Sequence, residues 1–163
     1  MKTLILVRHA KSDWNIANQT DFDRTLNQRG LRDATMMGIR LKNKELNIEK
    51  IISSAAIRAS LTASLIAKEI DYTESNIRFL KELYHASPQT IEAQIFAIDN
   101  TIQYAMIVCH NPGITHFANQ QCGHFTDNIP TCGIVAFQIQ TENWEQYSLA
   151  NKKLLFYDFP KNT

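Results

Sequence analysis

The chain has 163 residues, 44% hydrophobic and 20% charged, with a formal net charge of +1. That length suits one domain with a full hydrophobic core, 1–163, and the composition is that of an ordinary soluble globular protein. So balanced a charge, with no basic stripe, argues against a nucleic-acid binder. No apolar run approaches the ~20 residues of a membrane span, so no membrane partner is expected.

Lys2-Thr3 leads into Leu4-Ile5-Leu6-Val7, an apolar run too short for a helix or a signal peptide. It reads as a central strand buried on both faces. It stops at Arg8-His9, which places both side chains at the carboxyl end of a strand, where open α/β sheets bind their ligands. An Arg there can clamp a phosphate and a His beside it can attack one. A long polar loop follows to about Asn27, carrying Ser12, Trp14, Asp21 and Arg24. Loops of that length are often functional, although a surface loop pinned by Trp14 and Phe22 has the same composition.

Asn27 caps a helix predicted to run to about Lys44, with Leu31, Ala34, Gly38 and Leu41 facing the sheet. Ile48 to Ile52 is a second strand. A helix follows from about Ala56 to Ile70, its buried stripe formed by Ala59, Ala63, Ile66, Ala67 and Ile70. Arg58 lies in that helix's first turn, where the dipole prefers an anion. Either it faces solvent without a role, or it shares an anion with the helix N-terminus.

Ile77 to Leu80 reads as a third strand leading to Glu82, and Ser87-Pro88 opens a helix reaching about Ile98. Tyr104 to Cys109 is a fourth buried strand. It delivers His110 as the first strand delivers His9, and Asn111-Pro112 is read as cap and first position of the next helix. Cys132 to Ile139 is a strand, with Ile134 and Ala136 on one face and Val135, Phe137 and Ile139 on the other. Glu145 to Leu149 is expected to pair with it, and Leu154 to Pro160 to dock as a last extended piece. Strands alternating with helices predict an α/β fold, three layers deep, with a largely parallel sheet.

The odd set of cysteines, Cys109, Cys122 and Cys132, forms no close pair and suits a reducing cytoplasm. Cysteine-based phosphatases need an Arg six residues after the Cys; Thr115, Asn128 and Gln138 stand there instead. No phosphate-binding P-loop is present. His110, His116 and His124 find no carboxylate or Cys at ligand spacing, so no metal and no cofactor is expected. His85, His116 and His124 read as surface or rim residues.

These blocks carry a resemblance. Arg8-His9-Ala10 resembles the R-H-G signature of the histidine phosphatase superfamily, whose fold is phosphoglycerate mutase-like. Ser54 to Ala63 is similar to its S-P-x-x-R-A-x-x-T-A block, Leu80-Lys81-Glu82 to the segment holding its proton donor, and His110-Asn111-Pro112-Gly113 to its second-histidine motif. Asp23 to Asn27 with Arg29-Gly30 resembles the corresponding stretch of SixA-type phosphohistidine phosphatases. Ala10 departs from the usual Gly, and Ala55 and Thr25 stand where Pro is common.

The resemblance implies His9 as a nucleophile carrying a covalent phosphohistidine, with Arg8, Arg58 and His110 on the phosphoryl oxygens and Glu82 as acid and then base. The residues agree: nearby arginines should keep the His9 imidazole neutral, and its other ring nitrogen should donate to a backbone carbonyl. Glu82 also reads as a solvated strand-end carboxylate. Ser12 and Asn111 complete the candidate substrate-binding set. The segment from Arg58 to His110 leaves little room for a large cap. An open site accepts a phosphate displayed on another protein, which favours a metal-independent phosphohistidine phosphatase acting on a phosphotransfer domain. A phosphomonoesterase for a small sugar or nucleotide-related ester is the alternative, and a non-catalytic phosphate-binding module is another.

Overall fold

The computed structural model describes residues 1–163. One six-stranded sheet forms its centre, built from β1 (Lys2–Arg8), β2 (Lys50–Ser54), β3 (Arg78–Leu80), β4 (Tyr104–Cys109), β5 (Ile134–Ile139) and β6 (Lys152–Asp158). Their spatial order is β3-β2-β4-β1-β5-β6. The first four strands in that order run parallel, and β5 and β6 are antiparallel additions beside β1. The expected largely parallel, three-layer arrangement is thus present with a mixed edge.

Alternation along β1 divides the core. Ile5 and Val7 point to a cluster shared with α1 (Gln28–Lys42) and α2 (Ile57–Glu69), and Leu4 and Leu6 to one shared with α3 (Pro88–Phe96) and α4 (Gly113–Cys122). The expected faces of β5 are observed: Val135, Phe137 and Ile139 join the second cluster, Ile134 and Ala136 the first. Asn27 caps α1 by accepting from the Gly30 N–H at 2.8 Å, and Ser87 caps α3 through the Thr90 N–H at 3.2 Å.

Four local expectations are corrected. Leu31 is 43% exposed, and the inward face of α1 is Gly30, Asp33, Ala34, Met37, Gly38 and Leu41. The phase is set by Gly30, where a Cβ would lie 2.1 Å from the carbonyl oxygen of Lys11. Ile70 falls just beyond α2 and is only half-buried. Glu145–Leu149 belongs to a 3-10 helix, Trp144–Leu149, because Asn143 accepts from the Glu145 N–H at 2.8 Å and Trp144 and Tyr147 turn into the core. The partner of β5 is β6, which holds most of the tail expected to dock. Asn111-Pro112 precedes α4 rather than starting it: Pro112 is the cap position and Gly113 the first helical residue.

Candidate active site

Arg8 and Cys109 are register partners at the ends of β1 and β4, so the residues that follow them, His9 and His110, are neighbours with ring centroids 5.1 Å apart. Both are nearly sealed from solvent, at 8% and 3% exposure. The His9 N–H donates to the Cys109 carbonyl, and the Cys132 N–H donates to the carbonyls of both Arg8 and His9. The Ala10 N–H donates to Thr62 Oγ1 at 3.0 Å, and the Thr62 hydroxyl donates to the Arg58 carbonyl at 2.7 Å. Thr62 thereby ties the end of β1 to the first turn of α2.

His9 Nδ1 lies 2.8 Å from the Ala10 carbonyl oxygen. A carbonyl only accepts, so Nδ1 carries the proton and Nε2 keeps its lone pair. Burial is the main cause that lowers the His9 pKa to about 3. The Ala10 bond opposes it, while the charges of Arg58, Arg8 and Arg24 add to it. The neutral imidazole expected from the sequence is present, with burial rather than the arginines as its first cause. His110 is held at about 2, again first by burial and then by His9, Arg58 and His85. Its Nε2 is 2.7 Å from Ser54 Oγ, at the end of β2, and that oxygen accepts from the Ala56 N–H.

Both arginines reach the same place. Arg8 donates through Nη1 to the Ile129 carbonyl at 2.8 Å. Arg58 is buried rather than solvent-facing, and donates through Nη1 to the Asp21 carbonyl at 2.6 Å and through Nη2 to the Asp21 carboxylate at 3.1 Å. Arg8 Nε, Arg58 Nε and His110 Nδ1 are buried and have no partner. Unpartnered buried polar atoms are costly, and these three belong to residues that line one cavity. That cavity, of about 220 Å³, is lined by all four of Arg8, His9, Arg58 and His110, together with Ser12 and Asn111.

Ser12 is buried and accepts from Arg24 Nη1. Asn111 accepts from the Thr115 hydroxyl at 2.6 Å and donates to Asn128 and to the Ile129 carbonyl, the group that also receives Arg8. Glu82 is not brought to the cavity. It lies exposed on a 3-10 turn, Lys81–Leu83, because Leu83 takes the inward position.

The carboxylate that does line the cavity is Asp21. It accepts from the Tyr84 hydroxyl, from Arg24 Nε and Nη2 at 3.1 and 2.9 Å, and from Arg58. The Tyr84 bond, then those arginines, keep it ionised well below the usual carboxylate range, against the opposing effect of burial. Sequence reasoning had no role for Asp21 or Arg24. The available signal was their i, i+3 spacing in a loop too long to be only a connection. His85 lies on the rim as expected, 59% exposed, its Nε2 3.5 Å from Asp21, whereas His116 and His124 are on the surface away from the cavity. No group of three or more His, Cys, Asp and Glu side chains is placed to hold a metal ion.

The mixed sheet, its flanking helices and the paired strand-end histidines define the phosphoglycerate mutase-like α/β fold. Solved structures share it, among them two SixA proteins. One, SixA from Agrobacterium tumefaciens, has a TM-score of 0.81 at 23% identity over 96% of this chain and 97% of its own. The other, the protein histidine phosphatase SixA complexed with tungstate, has a TM-score of 0.83 at 20% identity over 98% of each chain. An uncharacterised protein of Mycobacterium leprae (strain TN) is 32% identical over 95% of this chain and its own whole length. The family profile of the histidine phosphatase superfamily (branch 1) matches residues 4–95, more than half of the chain. The chain belongs to the histidine phosphatase superfamily.

Proposed function

We propose that the protein is a phosphatase that removes phosphate from a phosphohistidine displayed on another protein, through a covalent phosphohistidine on His9. The observation that carries the reading is the convergence of a neutral His9, its Nε2 lone pair free, with Arg8, Arg58 and His110, each of which has a buried nitrogen without a partner. His9 Nε2 attacks phosphorus and the substrate's N–P bond breaks. The departing imidazole takes its proton from solvent on the ring nitrogen that was not phosphorylated. Water then attacks phosphorus on His9, releasing inorganic phosphate and the neutral ring. The Ser54 hydroxyl donates to His110 Nε2, which leaves the His110 proton on Nδ1 to meet a phosphoryl oxygen. Arg8 and Arg58 hold the others, and Ser12 and Asn111 keep Arg24 and the Ile129 carbonyl in place. Such a transition state is mostly positioned and electrostatically stabilised.

No protonated carboxylic acid lines the cavity, and this favours phosphohistidine as the source. An alkoxide leaving group needs a proton donor. Asp21 is held ionised, and Glu82 stands outside the cavity. A neutral imidazole needs no carboxylic acid to depart. The single sheet of 1–163 with no inserted cap between α2 and β4 leaves the mouth open to a macromolecular substrate. The three free cysteines, two of them buried, support a reducing compartment such as the cytoplasm. No helix is long and apolar enough to cross a membrane.

The test is an alkaline quench during turnover of phosphohistidine on a small carrier protein, followed by mass analysis. Phosphate on His9 is the expected result. Phosphate on a cysteine or serine, or no release from the carrier while simple esters are hydrolysed, would overturn the reading.

A further inference from the structure

Trp14 is the single hydrophobic residue among those lining the cavity. It is 70% exposed, while the chain's other tryptophan, Trp144, is fully buried. An exposed indole presents a large flat apolar face that a ligand could cover. It is also not loose. Its face lies on the Arg24 guanidinium, whose central carbon is 3.4 Å from the ring centroid. Arg24 is itself buried and fixed by Asp21 and Ser12. The result is a flat apolar surface, anchored from below, at the mouth of a cavity that is otherwise polar.

We propose that Trp14 is a stacking platform that selects substrates whose phosphoryl group is carried on a planar ring. The proposal deepens the phosphatase reading and rests on it. With phosphorus against His9 at the sealed end, an in-line leaving group points away from His9 and out through the mouth. There it passes Trp14 and the polar rim groups Lys11, His85 and Thr131. Of these only Trp14 offers an extended apolar face. A phosphorylated imidazole laid on it would cover the exposed indole and gain ring-on-ring contact. An aliphatic carrier would gain far less.

The competing role is a shield that keeps water from the Arg24–Asp21 pair. A shield would act on every substrate alike, whereas a platform acts only on those with a ring. The experiment compares kcat/KM for phosphoimidazole and for phosphoramidate, which share an N–P bond and differ in the ring, using wild type, Trp14→Phe and Trp14→Ala. The expected result is a loss in Trp14→Ala about tenfold larger on phosphoimidazole than on phosphoramidate, the scale of one ring stacked on an aromatic side chain, with most of it restored in Trp14→Phe. Equal losses on the two compounds, or none on either, would overturn the platform. Should wild type cleave neither N–P compound, the phosphohistidine reading fails. The platform is then read from an aryl against an alkyl phosphate, where the same tenfold contrast supports it and equal losses overturn it.

Discussion

Asp21 holds Arg58 at two points, its carbonyl oxygen 2.6 Å from Nη1 and its carboxylate 3.1 Å from Nη2. The guanidinium is thereby turned so that Nε stays free and buried. The same carboxylate takes Arg24 from the other side, so one loop residue orients two cations. It also places a negative charge beside the cavity that is to hold a phosphoryl group.

Asp21→Asn should therefore separate two effects. Losing the charge removes a repulsion, so inorganic phosphate should inhibit the variant at least as well as wild type. Losing the fixed geometry should lower kcat by about tenfold or more, since preorganised donors act only when aimed at the transition state. Product-inhibition and turnover measurements on the folded variant check this. A fall in phosphate affinity with kcat unchanged would contradict it.

Arg58→Ala should cost ~10²–10³ in turnover, the scale of one preorganised transition-state donor. The fold should survive, because Asp21 keeps Arg24 and Tyr84 as partners and the helix loses a cation from the positive end of its dipole. Near-full activity in a folded variant would remove Arg58 from the phosphoryl site.

The strand ends were legible because Leu4–Val7 and Tyr104–Cys109 are unbroken apolar runs that stop at Arg8-His9 and at His110. Asn27 and Ser87 were legible as caps because their side chains act within three residues. Asp21 and Glu82 were not legible for the opposite reason. Asp21 is placed by Tyr84 and Arg58, which come from distant parts of the chain. Glu82 is turned outward because burying Leu83 outweighs any pull on the carboxylate. Leu31 misled because helical period alone leaves the phase open, and the approach of the Lys11 carbonyl to Gly30 settles it. Trp144 to Leu149 misled because apolar side chains at short spacing fit a strand as well as a 3-10 turn.

Gly113→Ala should destabilise the fold by about 2 kcal/mol or more, because a Cβ there would lie 1.9 Å from the Ala86 carbonyl oxygen, which is backbone and cannot swing aside. The displaced segment joins His85 to α3 and faces the residues after His110, so activity should fall with stability. Urea unfolding of the variant measures the first effect. An unchanged midpoint would mean that the two segments separate freely.

Glu82→Gln should change turnover by less than about twofold on any substrate, since an exposed carboxylate outside the cavity neither touches the phosphoryl group nor shares a bond with a residue that does. Steady-state rates on a phosphohistidine carrier and on an alkyl phosphate check it. A large loss confined to the alkyl phosphate would show that the Lys81–Leu83 turn rearranges to deliver the acid.

Stability should fall steeply in mild acid. His9 and His110 have pKa values of about 3 and about 2 in the folded protein, each lowered mainly by burial from an ordinary value of 6.5. As pH falls below 6.5 the unfolded chain takes a proton on each ring while the folded chain does not. The unfolded state therefore gains, at up to about 1.4 kcal/mol per pH unit for each histidine, until the folded rings protonate near pH 3. Asp21 acts in the same direction lower down. Its carboxylate is held ionised, so below its ordinary 3.8 the unfolded chain again binds the extra proton. The penalty from the two histidines is absent above pH 6.5 and grows toward pH 3, whereas the Asp21 contribution is complete above its ordinary 3.8 and is lost only below it. Urea unfolding at pH 7.5, 6, 5 and 4 should show a rising slope with pH that flattens above 6.5. His9→Gln removes one of the two buried rings and should make that slope markedly shallower. A wild-type midpoint that stays constant between pH 7.5 and 4 would mean that the folded rings accept protons as readily as exposed ones, and would contradict a neutral nucleophile maintained by burial.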